Sequence, residues 1–183
     1  LISSFDPSDH NDPLAKQFIP HKLEDAPNGK IDPLEEHSII NNGIIQKYQH
    51  RVLITTTGAC AVHCRYCFRK HFPYNAHHIS QDNWKEILNY IKKDNSISEV
   101  ILSGGDPLML PDRPLSNKLK DLSDISHIER IRIHTRLPIV LPKRITDVLA
   151  STLDNLDKPV CIVMHVNHPH ELNYEVNKAL DAL

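Results

Sequence analysis

The sequence predicts an α/β fold built from consecutive strand–helix units, either the first part of a βα barrel or an open parallel sheet. Two observations carry that expectation. From Arg51 onward, short β-type runs alternate four times with segments whose apolar residues recur at helical spacing. Chemistry-capable residues stand directly after each run, where parallel α/β folds assemble their sites.

Each element has its own signal. Residues 1–50 are rich in Pro, Asp, Asn and His, with Asp-Pro at Asp6, Asp12 and Asp32, dipeptides that favour turns and helix starts. An irregular arm with short helices at Asp12-Pro-Leu-Ala-Lys-Gln-Phe and Asp32-Pro-Leu-Glu-Glu is expected there, and residues 51–183 form the core. Arg51–Thr57 is a β-branched strand, and Trp84, Ile87, Leu88 and Ile91 mark one face of a first helix. Glu99–Ser103 is a short apolar strand, followed by Leu115, Leu119, Leu122 and Ile125 on a second helix. Arg130–Arg136 alternates with period two, and Ile145, Val148, Leu149, Thr152, Leu153 and Leu156 give a third helical face. Val160–Val166 is a fourth strand, and Val176, Leu180 and Leu183 begin a fourth helix. Strand–helix alternation of this kind argues for parallel pairing through crossovers.

The composition of the 183 residues, 40% hydrophobic and 24% charged, is that of one ordinary globular domain. A net charge of −2 gives no bulk attraction for nucleic acid or a membrane surface, so neither is expected as a partner. There is no membrane-span run and no leader pattern. The chain starts at Leu1 rather than methionine and stops at Leu183 inside a helical pattern, so a fragment of a longer protein is expected. Thirteen histidines are many, but scattered ones are mostly solvated or packed, and His77-His78 reads as a surface loop pair.

The most specific pattern is Cys60-x3-Cys64-x2-Cys67, on the loop after the first strand. Three thiolates this close can hold three corners of a cubane iron–sulfur cluster and leave the fourth iron open to a small molecule. A ferredoxin-type cubane takes four thiolates, and the fourth cysteine, Cys161, is far away in an apolar run, where a small buried hydrophobe is expected. Structural zinc, with His63 or His71 as fourth ligand, is the alternative, though such sites usually pair two separated ligand pairs. A disulfide framework ranks last, because an odd triplet staples nothing. Clustered reduced thiols place the protein in the cytoplasm.

Taken together, the cysteine loop and the Gly104-Gly105-Asp106 turn after the second strand resemble the radical S-adenosylmethionine (SAM) enzymes. Within them, Cys64-Arg-Tyr-Cys67-Phe-Arg-Lys-His-Phe-Pro-Tyr74, Ser103-Gly-Gly-Asp-Pro-Leu108 and Arg132-Ile-His-Thr-Arg-Leu-Pro-Ile-Val140 resemble the lysine 2,3-aminomutase family. The string after Cys67 is most similar to the branch that makes β-lysine for modification of elongation factor P. The resemblance implies a partial parallel (β/α) barrel of the radical SAM type, truncated after about four βα units.

It also implies roles. Cys60, Cys64 and Cys67 would ligate a [4Fe–4S] cluster whose open iron is chelated by S-adenosylmethionine. Gly104, Gly105 and Asp106 would meet the methionine amino group, although Asp106 capping its own turn is an equal reading. Arg136, His165, Asn167 and His168 would line the same mouth, whereas His134 reads equally as a packed strand-end residue. Arg69 would clamp the carboxylate of L-lysine with its guanidinium fork. Arg65 would face a phosphate or solvent. The family also uses pyridoxal phosphate, but no lysine here, Lys143 and Lys158 included, matches the family's attachment segment, so that lysine is expected outside this chain. An electron donor such as flavodoxin is implied, and a homo-oligomer is left open. Alternatives are a radical SAM aminomutase for another amino acid or for lysine catabolism, and a non-catalytic metal-binding fragment.

Overall fold

The computed structural model describes residues 5–6, 8–9, 11–25, 29–36, 40–74 and 80–183. The His77-His78 pair lies outside the described residues.

A six-stranded sheet runs in sequence order: β1 (Ile40–Asn41), β2 (Ile44–Tyr48), β3 (Arg51–Thr57), β4 (Glu99–Gly104), β5 (Arg130–Thr135) and β6 (Val160–Met164). Strands β3 to β6 pair in parallel, and the four strands expected from the sequence all form, each ending within two residues of its expected limit. Helices α1 (Gln81–Lys93), α2 (Asp112–Ser123), α3 (Leu137–Val140), α4 (Asp147–Asp154) and α5 (Tyr174–Asp181) complete the βα units. Ser80, Thr146 and Asn173 cap α1, α4 and α5 by accepting a backbone N–H with their side chains. The short α3 was not legible as a helix, because its four residues, Leu-Pro-Ile-Val, hold less than two turns of pattern.

The choice between barrel and open sheet is decided by where the core lies. Val52, Ile54, Val100, Leu102, Ile131 and Ile133 form one cluster with Trp84, Ile87 and Ile91 of α1, Leu115, Leu119 and Leu122 of α2, and Leu149 of α4. These helices therefore cover one face of a sequentially ordered sheet, as in a partial barrel, whereas a doubly wound sheet would carry them on both. The opposite face carries Leu53, Glu99, Ser103, Arg132, His134, Cys161 and Val163. At its amino-terminal end Glu99 is 8% exposed and pairs with Arg132 and, at 3.5 Å, with Arg51.

Three expectations change. Ile40–Tyr48 is not irregular: β1 and β2 form an antiparallel hairpin, and β2 joins β3. Asn42 and Gly43 both have positive φ (46° and 87°), the two-residue turn that matches strand twist. Cys161 is exposed rather than buried, because it points to the uncovered face of β6 while Val160 and Ile162 pack against the core. The arm has 3₁₀ turns at Ala15–Gln17 and Lys22–Asp25, but Asp32–Leu34 is only a turn. There the Asp32 carboxylate accepts the Glu36 N–H at 3.0 Å. No helix among the described residues is long and apolar enough to cross a membrane.

Candidate active site at the carboxyl ends of the strands

The cysteine loop is fastened to the neighbouring strand end. Gly105 N donates to Thr57 O at 2.7 Å and Asp106 N donates to Ala59 O at 2.8 Å, so β3–β4 pairing continues past the strands into the loop. A Cβ on Gly104, whose φ is +114°, would lie 2.6 Å from Thr57 O, and one on Gly105 would lie 2.4 Å from Ala59 O. Only glycine fits at either position. The close approach expected of this glycine pair is made, in this structure, to the cysteine loop itself.

Asp106 is 5% exposed and has both oxygens engaged. Oδ1 accepts Leu108 N at 3.0 Å and Thr135 Oγ1 at 2.7 Å, while Oδ2 accepts Arg136 N at 2.8 Å. It caps the turn and ties the end of β4 to the end of β5, as the capping reading expects.

Cys60, Cys64, Cys67 and Cys161 are all free thiols. Cys60 opens to solvent on one side, yet burial of its sulfur, followed by Asp106, Cys67 and Cys64, pushes its thiol up to about 12. An unliganded Cys60 therefore holds its proton at neutral pH, and metal binding must displace it. Three soft sulfur donors on one loop fit iron and sulfide chemically, better than a hard, oxygen-seeking ion. Among the described residues no three His, Cys, Asp or Glu side chains gather around one ion. A cubane does not ask that of them, since each thiolate takes its own iron.

Arg136, 7% exposed, is the hub on one side of the loop. Its Nη1 donates to Cys64 Sγ at 3.1 Å and to the Tyr66 hydroxyl, and its Nη2 donates to Glu171 Oε1 at 2.8 Å and to Gln17 Oε1. Asn167 joins this group by donating to Gln17 Oε1 at 2.9 Å and to the Tyr66 oxygen. Gln17 Nε2 donates to the same Glu171 carboxylate at 2.6 Å. Glu171 is fully buried, and its second oxygen accepts Asn167 N at 3.2 Å. Burial, then the neighbouring Cys64, pushes the Tyr66 phenol up to about 12, so it stays protonated. The Nε of Arg136 is buried without a hydrogen-bond partner among the described residues. An orphaned cationic donor beside the thiols suits an incoming carboxylate, which fits the expected S-adenosylmethionine.

Arg69 stands on the other side, also 7% exposed. Glu36 accepts its Nε at 2.7 Å and its Nη2 at 2.9 Å, and Ser103 Oγ accepts Nη1 at 3.0 Å. The guanidinium fork expected for substrate is thus held by Glu36 on its Nε–Nη2 edge and by Ser103 on Nη1. Arg65, partly exposed, pairs with Glu24 and donates to Lys16 O at 2.8 Å. The arm's Gln17 O also accepts Arg65 N at 2.9 Å.

Of the remaining expected residues, His165 is exposed and meets the Tyr66 ring edge-on at 5.4 Å. His168 caps the following turn, its Nδ1 accepting His170 N at 3.2 Å. His134 lies on the face opposite the helices, its Nε2 without a hydrogen-bond partner among the described residues, and burial, followed by Arg132 and Arg69, holds its pKa below the usual range. The structure thus brings Arg136, Asn167 and Asp106 to the cysteine loop and sets His165 at its rim. It also adds Gln17, Glu36, Tyr66 and Glu171, which the sequence reading missed. Tyr66 was legible inside the cysteine motif, whereas Gln17, Glu36 and Glu171 meet their arginines only through the fold.

Residues 54–178 match the family model of the Radical SAM superfamily. An L-lysine 2,3-aminomutase of Buchnera aphidicola subsp. Baizongia pistaciae is 45% identical over 185 residues, covering 97% of this chain and 54% of the relative. The L-lysine 2,3-aminomutase of Escherichia coli is 40% identical over 185 residues (100% of this chain, 54% of the relative), and that of Haemophilus influenzae 41% over 187 (100% and 55%). The chain spans about half the length of these curated relatives. With three thiols on the loop after a parallel strand, a Gly-Gly-Asp turn bonded to that loop, and a family match over residues 54–178, the chain belongs to the Radical SAM superfamily.

Proposed function

We propose that this chain is the radical-generating part of an L-lysine 2,3-aminomutase that converts α-lysine to β-lysine. The observation that carries the reading is the fastened cysteine loop at the mouth of a parallel sheet, joined to 40–45% identity with relatives of that name. Residues 51–183 are assigned as the core and 1–50 as the arm, with the β1–β2 hairpin at their junction.

Cys60, Cys64 and Cys67 would hold a [4Fe–4S] cluster. When bound, that cluster supplies the electron that cleaves S-adenosylmethionine to methionine and a 5′-deoxyadenosyl radical. The chain's own residues do the positioning. The glycine pair and Asp106 hold the loop to the end of β4, and Arg136 and Asn167 border the S-adenosylmethionine side, with His165 at the rim and His168 assigned to the same side. Arg69 is assigned to the substrate carboxylate, with Glu36 holding its Nε–Nη2 edge and Ser103 its Nη1. Pyridoxal phosphate and its lysine are assigned to the full-length protein outside this chain. The finer assignment is β-lysine for elongation factor P, in the cytoplasm, with electrons from a flavodoxin-like donor.

Anaerobic reconstitution of the full-length protein with iron and sulfide tests the reading. A brown, dithionite-bleachable protein that cleaves S-adenosylmethionine and forms β-lysine supports it. A colourless, zinc-loaded protein overturns it, and a brown protein that rearranges another amino acid overturns the substrate assignment. Loss of β-lysylated elongation factor P on deletion of the gene checks the finer step.

A further inference from the structure

We infer that Arg136 sets the reduction potential of the cluster by donating a charged hydrogen bond to the Cys64 thiolate, and that Glu171 trims this effect. The inference rests on the reading that the three cysteines hold a [4Fe–4S] cluster. Nη1 of Arg136 lies 3.1 Å from Cys64 Sγ, and the guanidinium is 7% exposed. Hydrogen bonds to cluster sulfurs and nearby charge are among the main levers on iron–sulfur potentials, and solvent exclusion strengthens both. An arginine keeps its charge at every working pH, so its contribution is permanent. Density drawn from the thiolate favours the form carrying one more electron, so Arg136 raises the potential.

The geometry also fixes the donor. Glu171, fully buried, accepts Nη2 at 2.8 Å, and Gln17 and Tyr66 hold the same two nitrogens. Asp106 holds the Arg136 backbone N–H at 2.8 Å. The guanidinium therefore cannot swing from the sulfur without breaking several bonds. Its only carboxylate partner among the described residues is Glu171, which offsets part of its field at the thiolate. Arg136 is thus a tuning and positioning residue, distinct in kind from the cluster ligands.

The test is a mediator titration of the reconstituted full-length enzyme without S-adenosylmethionine, with the reduced cluster read by electron paramagnetic resonance. Arg136→Gln is expected to shift the reduced-to-oxidised ratio about tenfold toward the oxidised form, equivalent to about 59 mV for one electron. Glu171→Gln, which removes the offsetting charge, is expected to shift it the other way by about threefold. Arg136→Lys keeps the charge and is expected to stay nearer the parent than Arg136→Gln. An Arg136→Gln protein that holds its cluster at the parent's potential overturns the inference, as does a shift of both variants in one direction. If Arg136→Gln loses the cluster, Glu171→Gln decides: an unchanged or lowered potential overturns the inference. A parent protein that takes up no cluster instead removes the underlying reading.

Discussion

Two arginines flank the cysteine loop, equally buried and differently held. Arg69 makes a closed pair, with Glu36 on its Nε–Nη2 edge and Ser103 on Nη1. Arg136 is a hub, with a thiol, a phenol, an amide and a carboxylate around it and its Nε without a partner among the described residues. Both acids come from outside the parallel strands, Glu36 from the arm and Glu171 from the turn after β6. Burying such pairs carries a large desolvation cost, and removing one partner costs more than the pair contributes, because a charge is left without a counter-charge. The difference is one of partners: every nitrogen of Arg69 is held by Glu36 or Ser103, whereas Arg136 spreads its bonds over four different side chains.

The largest test removes what both arginines surround. Cys64→Ala in the full-length enzyme is expected to abolish S-adenosylmethionine cleavage, measured as 5′-deoxyadenosine release, and retained cleavage would detach the comparison from the loop. Next, Arg69→Ala is expected to raise the KM for lysine at least tenfold while uncoupled cleavage stays within about threefold, a change of under 1 kcal/mol in a barrier. Unchanged turnover would deny Arg69 its substrate. Glu36→Gln strands the Arg69 charge and is expected to cost about 3 kcal/mol in denaturant unfolding. If Glu36→Gln costs nothing, the closed pair does not hold Arg69 as described.

Gly105→Ala sharpens the comparison from below, since it presses on the loop both arginines hold. Its Cβ would meet Ala59 O at 2.4 Å, so about 2 kcal/mol of destabilisation is expected, with weaker cluster retention. The smallest effect concerns His134, which feels Arg69 and not the hub. Its pKa is lowered by burial first, and then by Arg132 and Arg69. A lowered pKa means the folded state prefers the neutral ring. The stability it contributes is therefore present above the unfolded value of about 6.5 and is lost as pH falls through it. His134→Gln is expected to flatten the stability profile as pH falls below about 6.5, and an unaltered slope would remove His134 from the balance.

Local pattern carried most of the framework. The period-two and apolar runs placed β3 to β6, helical spacing placed four of the five helices, and the cysteine spacing placed the loop. What stayed hidden depends on separation or on layer. Glu36 meets Arg69 from 33 positions away, and Gln17 meets Arg136 from 119, so no window of sequence holds both partners. Cys161 sits in a run whose apolar character fits burial on both faces, and only the fold shows that one face is uncovered. The hairpin is a different case. Asn42-Gly43, with isoleucine pairs close on both sides, is a strong turn signal that the polar character of the arm obscured.

The bonds from Gly105 to Thr57 and from Asp106 to Ala59 carry one more consequence. The first cysteine is counted from the sheet, since Ala59 is pinned and Cys60 follows it. One residue inserted between Thr57 and Ala59 would move the chain on by a Cα step of about 3.8 Å, and the second bond would lose its register. Such an insertion would displace the thiol although the motif itself stayed unaltered. The spacing that matters thus begins one residue before the first cysteine, at the Ala59 carbonyl, which carries no side-chain signature at all.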